Sequence, residues 1–180
     1  MIYLFLAEGF EEIEALTPLD YLRRAGIAVM SVGVGAKNIT GAHNITVTAD
    51  ITTNDLASDA DFDGIILPGG MPGTINLEKD NTVMHFVKRA YNENKLLCAI
   101  CAAPSVLGHA GMLNGKKATC YPGFEDDLTG ADATGAPVEK DGNIITARGA
   151  GVAADFAFAI IAAIMNQETA DRICRQIQSK

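Results

Sequence analysis

Short, uninterrupted apolar runs set between stretches of helical periodicity limit most strongly how this chain can fold. Ile2-Tyr3-Leu4-Phe5-Leu6, Gly64-Ile65-Ile66-Leu67 and Leu96-Leu97-Cys98-Ala99-Ile100 have strand length and no polar alternation. A strand with one wet face alternates; one that is apolar throughout must be covered on both faces. Ala28–Val34 reads as a further strand. Between these runs, Glu11–Ala25 repeats Ile13, Leu16, Leu19 and Leu22 at helical spacing, and Gly26 stands where a helix end often needs a left-handed residue. Asn81–Asn94 carries Val83, Val87 and Tyr91 in the same way, and Val152–Met165 and Thr169–Gln178 read as two later helices. This alternation predicts an α/β fold, a parallel sheet with helices on both faces. Ile45–Thr48 alternates like part of a β-ribbon. Ala102–Ala110 reads as a short helix and Lys117–Thr119 as a short strand. Pro137–Lys140 and Asn143–Thr146 flank Asp141-Gly142, a hairpin signal.

Such a sheet needs a chain able to bury a core. The 180 residues, 48% apolar and 20% charged, are enough, and no repeat or linker divides them, so residues 1–180 read as one domain. The longest apolar stretch, Val152–Met165, is too short to span a bilayer and is broken by Asp155. Met1–Leu6 lacks a basic leader and a cleavage site, so a cytoplasmic address is expected. A net charge of −8 argues against a nucleic-acid surface. Cys98, Cys101, Cys120 and Cys174 are too few for a disulfide scaffold in a chain this large and read as free thiols. His43, His85 and His109 are scattered along the sequence, and no metal site is expected.

In open α/β sheets, sites form beyond the carboxyl ends of the strands. That rule selects Ala7–Glu14, Pro68–Gly73, Cys101–Pro104 and Tyr121–Gly123. In Cys98-Ala99-Ile100-Cys101-Ala102-Ala103-Pro104, apolar strand residues lead into a cysteine, and small residues and a first-turn proline follow. This is the pattern of a nucleophile elbow. A thiol there meets backbone N–H groups and the positive end of a helix, which favour thiolate. The segment alone fits a buried structural cysteine equally well. Side chains three apart on a strand point to opposite faces, which places Cys98 in the core and argues against a Cys98–Cys101 disulfide. Glu11 and Glu12 suit the first turn of a helix. Glu14 adjoins the apolar face, where a half-buried carboxyl keeps its proton and can donate to a thiolate or take a proton from a substrate. Gly69 and Gly70 let the backbone approach a ligand and aim N–H groups at an anion; an ordinary tight turn needs the same residues.

Taken in order, Gly9-Phe10-Glu11-Glu12-Ile13-Glu14, Arg23-Arg24-Ala25-Gly26-Ile27, Leu67-Pro68-Gly69-Gly70, Ala99-Ile100-Cys101-Ala102-Ala103-Pro104 and Asp141-Gly142 through Thr146-Ala147-Arg148-Gly149 resemble the DJ-1/ThiJ/PfpI superfamily, in its DJ-1-like branch. The resemblance covers nearly the whole chain. It implies a flavodoxin-like three-layer sandwich, a nucleophilic and oxidisable Cys101, and a Glu14 carboxyl hydrogen-bonded to its sulfur. It further implies that Gly70 and Ala102 supply N–H groups to an oxyanion or sulfinate oxygen and that Glu11 lines the pocket mouth. Arg24 and Ala150 are implied to approach from the second subunit of a homodimer. No cofactor is implied. Tyr121 stands where many relatives carry His; it can orient a substrate but is a poor base near neutral pH. Ala102 stands where the peptidase branch has His, which disfavours Cys–His proteolysis. Asn44 replaces an Arg found near the pocket in some relatives.

The chemistry so implied is of the glyoxalase or deglycase type, on methylglyoxal or its protein adducts, through Cys101 and Glu14. The alternative is a stress-protective redox sensor or chaperone in which Cys101 is oxidised to sulfinate, with Cys120 as a candidate resolving thiol.

Overall fold

The computed structural model describes residues 1–179. In chain order its elements are β1 (Ile2–Leu6), α1 (Glu12–Arg24), β2 (Val29–Gly33), β3 (Asn38–Thr40), β4 (Thr46–Thr48), β5 (Ile51–Thr52), β6 (Gly64–Leu67), α2 (Gly73–Lys79), α3 (Asn81–Asn92), β7 (Leu96–Ile100), α4 (Pro104–His109), β8 (Lys117–Ala118), β9 (Asp132–Ala133), β10 (Val138–Asp141), β11 (Ile144–Ala147), α5 (Ala153–Ile164) and α6 (Gln167–Gln176). A seven-stranded sheet runs β10-β11-β7-β6-β1-β2-β5. Its strands are parallel except β10, which turns back on β11 through the Asp141-Gly142 hairpin. The arrangement is flavodoxin-like.

The uniform apolarity of β1 has its explanation in the two covering layers. Ile2, Leu4 and Leu6 join the core beneath α1, α5 and α6, with Leu19, Leu22, Phe156, Ile160 and Ile173. Tyr3, Phe5 and Ala7 join the opposite core beneath α2, α3 and α4, with Leu77, Phe86, Val87, Val106 and Leu107. Successive side chains of one strand thus enter different cores, and a polar residue on either face would be stranded. The β3–β4 ribbon forms as the alternation predicts. Among the described residues, no helix is long and apolar enough to cross a membrane.

Two sequence expectations fail locally. In α1, Ile13 is 55% exposed, while Glu12, Glu14, Ala15, Pro18, Leu19 and Leu22 turn inward. The buried face is therefore rotated from the one the apolar residues suggested. Glu12 tolerates this because its carboxylate accepts from His43 N and meets His43 Nδ1, both at 2.8 Å. The histidines are thus not all scattered: His43 lies against Glu11 and Glu12. The second is α2, Gly73–Lys79, a two-turn helix for which the sequence offers no periodic signal.

Candidate active site

The carboxyl end of β7 runs into Cys101, whose φ is +66°. A non-glycine residue in the left-handed region carries a steric cost, and here it turns the chain sharply between strand and helix. The turn is pinned on both sides: Cys101 N donates to Ala147 O at 2.8 Å, and Tyr121 N donates to Cys101 O at 2.8 Å. Pro104 opens α4, as expected of a proline at the first helical position. The sulfur is half-buried and accepts hydrogen bonds from the Ala102 and Gly70 N–H groups.

Glu14 reaches it from α1. Its side chain is 1% exposed, hydrogen-bonds Cys101, and accepts from Gly69 N at 3.0 Å and from the Ala150 N–H. Burial pushes its carboxyl up to about 7, the charge of Glu11 adds to this, and the hydrogen bonds from Cys101, Gly69 and Ala150 oppose it. Burial, and after it the charge and hydrogen bond of Glu14, push the Cys101 thiol up to about 12 against the two N–H donors. The raised Glu14 carboxyl agrees with what a half-buried acid should do, whereas the Cys101 thiol, expected to be lowered at a helix start, is raised. The predicted donors are present at the sulfur, but desolvation outweighs them.

Glycines make this proximity possible. A Cβ at residue 69 would stand 2.7 Å from both Cys101 Cβ and Glu14 Oε2. Gly70, at φ +87°, leaves no room for one either: Glu11 N would be 2.4 Å away.

The other expected residues fall in different places. Tyr121, 50% exposed, joins Gly70, Met71, Cys101, Ala102 and Phe124 around a cavity of about 170 Å³. Gly69 does not offer its N–H to an oxyanion; that group is committed to Glu14. Glu11 caps α1, accepting from Glu14 N at 2.7 Å, and acts on the site through its charge. Arg24 is not brought to the cavity of its own chain: it lies at the far end of α1, about 15 Å of helix from Glu14, paired with Asp20. Ala150 touches Glu14 within the same chain. Cys98 is a free buried thiol as expected, though for another reason: the turn at Cys101 sends both cysteines toward the same core. Cys120 is a buried free thiol of the opposite core. Met71 falls within the selected Pro68–Gly73 segment, while Phe124 lies one residue beyond Tyr121–Gly123 and has no periodic or motif signal to mark it.

The sequence model of the DJ-1/PfpI family matches residues 1–163. The chain belongs to the DJ-1/PfpI family. This family member is 35% identical over 172 residues to Parkinson disease protein 7 homolog of Danio rerio, covering 93% of this chain and 91% of that one. It is 34% identical over 152 residues to a protein named deglycase from Pyrococcus horikoshii, covering 82% and 90%. It spans 44% of the length of protein DJ-1 homolog A of Arabidopsis thaliana. Among solved structures, Toxoplasma gondii DJ-1, described as oxidized, superposes with a TM-score of 0.94 at 31% identity, covering 98% and 97% of the two chains. A DJ-1 superfamily protein from Salmonella typhimurium gives 0.93 at 33% identity, with the same coverage.

Proposed function

We propose that this DJ-1/PfpI protein carries out glyoxalase- or deglycase-type chemistry on methylglyoxal, or on the adduct methylglyoxal leaves on a protein. One observation carries the reading: a buried carboxylate is hydrogen-bonded to a thiol at which two backbone N–H groups also point. Two Pyrococcus relatives named deglycase support it.

Glu14 takes the Cys101 proton as the sulfur lone pair forms the bond to the aldehyde carbon. The carbonyl π pair moves to oxygen beside the Gly70 and Ala102 N–H groups. Glu14 then returns the proton, giving a hemithioacetal. As carboxylate again, it removes the proton on that carbon and delivers it to the neighbouring carbonyl carbon. The hydroxyl proton on the first carbon passes to the oxygen of the second, so the first carbon becomes a thioester carbonyl and the second an alcohol, an internal oxidation and reduction that needs no external oxidant. Water cleaves the thioester to lactate and restores the thiol.

Lactate formation from methylglyoxal by the wild type, Cys101→Ser and Glu14→Gln tests this. Each substitution should lower turnover by at least about a hundredfold; undiminished turnover by Cys101→Ser refutes it.

The redox-sensor reading draws on the same N–H donors, which would hold sulfinate oxygens, and on the relative described as oxidized. No lactate from the wild type, with two oxygens added to Cys101 by mild peroxide, favours that reading.

A homodimer is part of the proposal. Ile13 and Ile45 are 55% and 53% exposed; Ile13 follows Glu12 on α1, and Glu12 Oε1 accepts from Ile45 N at 3.5 Å. Pairing two copies there would cover both isoleucines.

A further inference from the structure

His109 connects the three segments that wall the Cys101 cavity. It ends α4, the helix that starts at the elbow. Its Nδ1 lies 2.8 Å from Glu78 Oε1 on α2, and its Nε2 lies 3.4 Å from Asp127 Oδ1 in the short 3-10 turn Glu125–Asp127. Each of these elements directly continues one wall. Gly70 and Met71 lead into α2, Cys101 and Ala102 into α4, and Tyr121 and Phe124 into the 3-10 turn. Helix α4 and that turn already meet backbone to backbone: a Cβ at Gly108 would stand 2.0 Å from Asp127 O and 2.9 Å from Leu128 Cα.

The chemistry of the ring makes the connection conditional. A neutral imidazole has one N–H and can donate to only one of the two carboxylates; its other nitrogen then turns a lone pair toward the second. An imidazolium donates to both. Glu78 from α2 and Asp127 from the 3-10 turn are the charged groups that act on it, and α4 carries no other charge. The Glu78 hydrogen bond, then that of Asp127, hold the ring above its ordinary value despite partial burial.

We propose that protonated His109 is a positioning residue that braces α2, α4 and the Tyr121–Asp127 segment against one another and so sets the width of the Cys101 cavity, admitting small electrophiles and turning away bulky ones. When the proton leaves, the 3.4 Å contact becomes a lone pair facing a carboxylate, and the Tyr121–Asp127 wall loosens first. The proposal takes the Cys101 cavity as the working site but does not depend on turnover there.

The test compares alkylation of Cys101 by iodoacetamide and by a pyrene maleimide, in a Cys174→Ser background with the modified residue located by mass spectrometry. Both reagents consume thiolate, so the ratio of their rates cancels the titration of the sulfur itself. The bulky-to-small ratio should rise about two- to fivefold as pH increases through the His109 titration, the range expected of a half-exposed ion pair. In His109→Gln the ratio should be high and flat with pH. If that variant does not fold, Asp127→Asn, whose amide can pair with Nε2 in either protonation state of the ring, should also give a flat profile. A pH-independent ratio in the wild type, or a folded His109→Gln or Asp127→Asn that keeps the wild-type profile, overturns the proposal. These rates are read whether or not lactate is formed, so failure of the functional reading and failure of the brace are separate results.

Discussion

Replacing Glu14 with Gln should make the protein gain stability relative to wild type as pH rises. Burial, with a smaller contribution from Glu11, holds the Glu14 carboxyl at about 7 against an ordinary 4.5, so the folded state keeps this proton longer than the unfolded chain does. Below the unfolded value both states are protonated and nothing is lost. Between 4.5 and about 7 the unfolded chain ionises first, and folding stability falls; above that the loss is complete. At about 1.4 kcal/mol per pH unit, this gap amounts to roughly 3 kcal/mol. Gln cannot ionise, and its amide oxygen can still accept from Gly69 N. The assay is urea denaturation of both proteins at closely spaced pH values. The remaining titrating groups are common to the two proteins and drop out of the difference. Wild-type stability minus that of Glu14→Gln should decline by roughly 3 kcal/mol between about pH 4.5 and pH 8, then level off. A flat difference across that window, or one of opposite slope, would show that this carboxyl is not held protonated by burial and would remove the basis for its role as a base near pH 7.

Gly69→Ala should cost about 2 kcal/mol or more in chemical denaturation and also abolish lactate formation, because the added methyl would have to displace Cys101 Cβ and the Glu14 carboxylate together; wild-type behaviour in both assays would mean that the two loops are not packed as closely as described. For the dimer, sedimentation of the wild type should give two copies and the double variant Ile13→Glu, Ile45→Glu one; a monomeric wild type, or a dimer that survives the double substitution, rejects pairing through this face.

Several features were legible because they depend on neighbours in sequence. The β1, β6 and β7 runs identified buried strands, Asp141-Gly142 identified a hairpin, and the small residues after Cys101 identified the turn that its positive φ confirms. The face of α1 was misread because periodicity registers apolar side chains, whereas a buried polar residue depends on a distant partner. Glu12 finds His43 across 31 positions, and Glu14 finds Gly69 across 55. Helix α2 was missed because Gly73–Lys79 is too short for a periodic signal, so the anchor that Glu78 gives His109 was hidden as well.

By itself, then, the sequence determined the layering, since whether a strand is covered on one face or two is written in consecutive residues. The protonation of Cys101 and Glu14 was decided only by the tertiary structure. A thiol at a helix start reads as acidic, but the desolvation that raises both groups comes from α1, β6 and β7 converging on one point. No local stretch of chain records how much water that convergence removes.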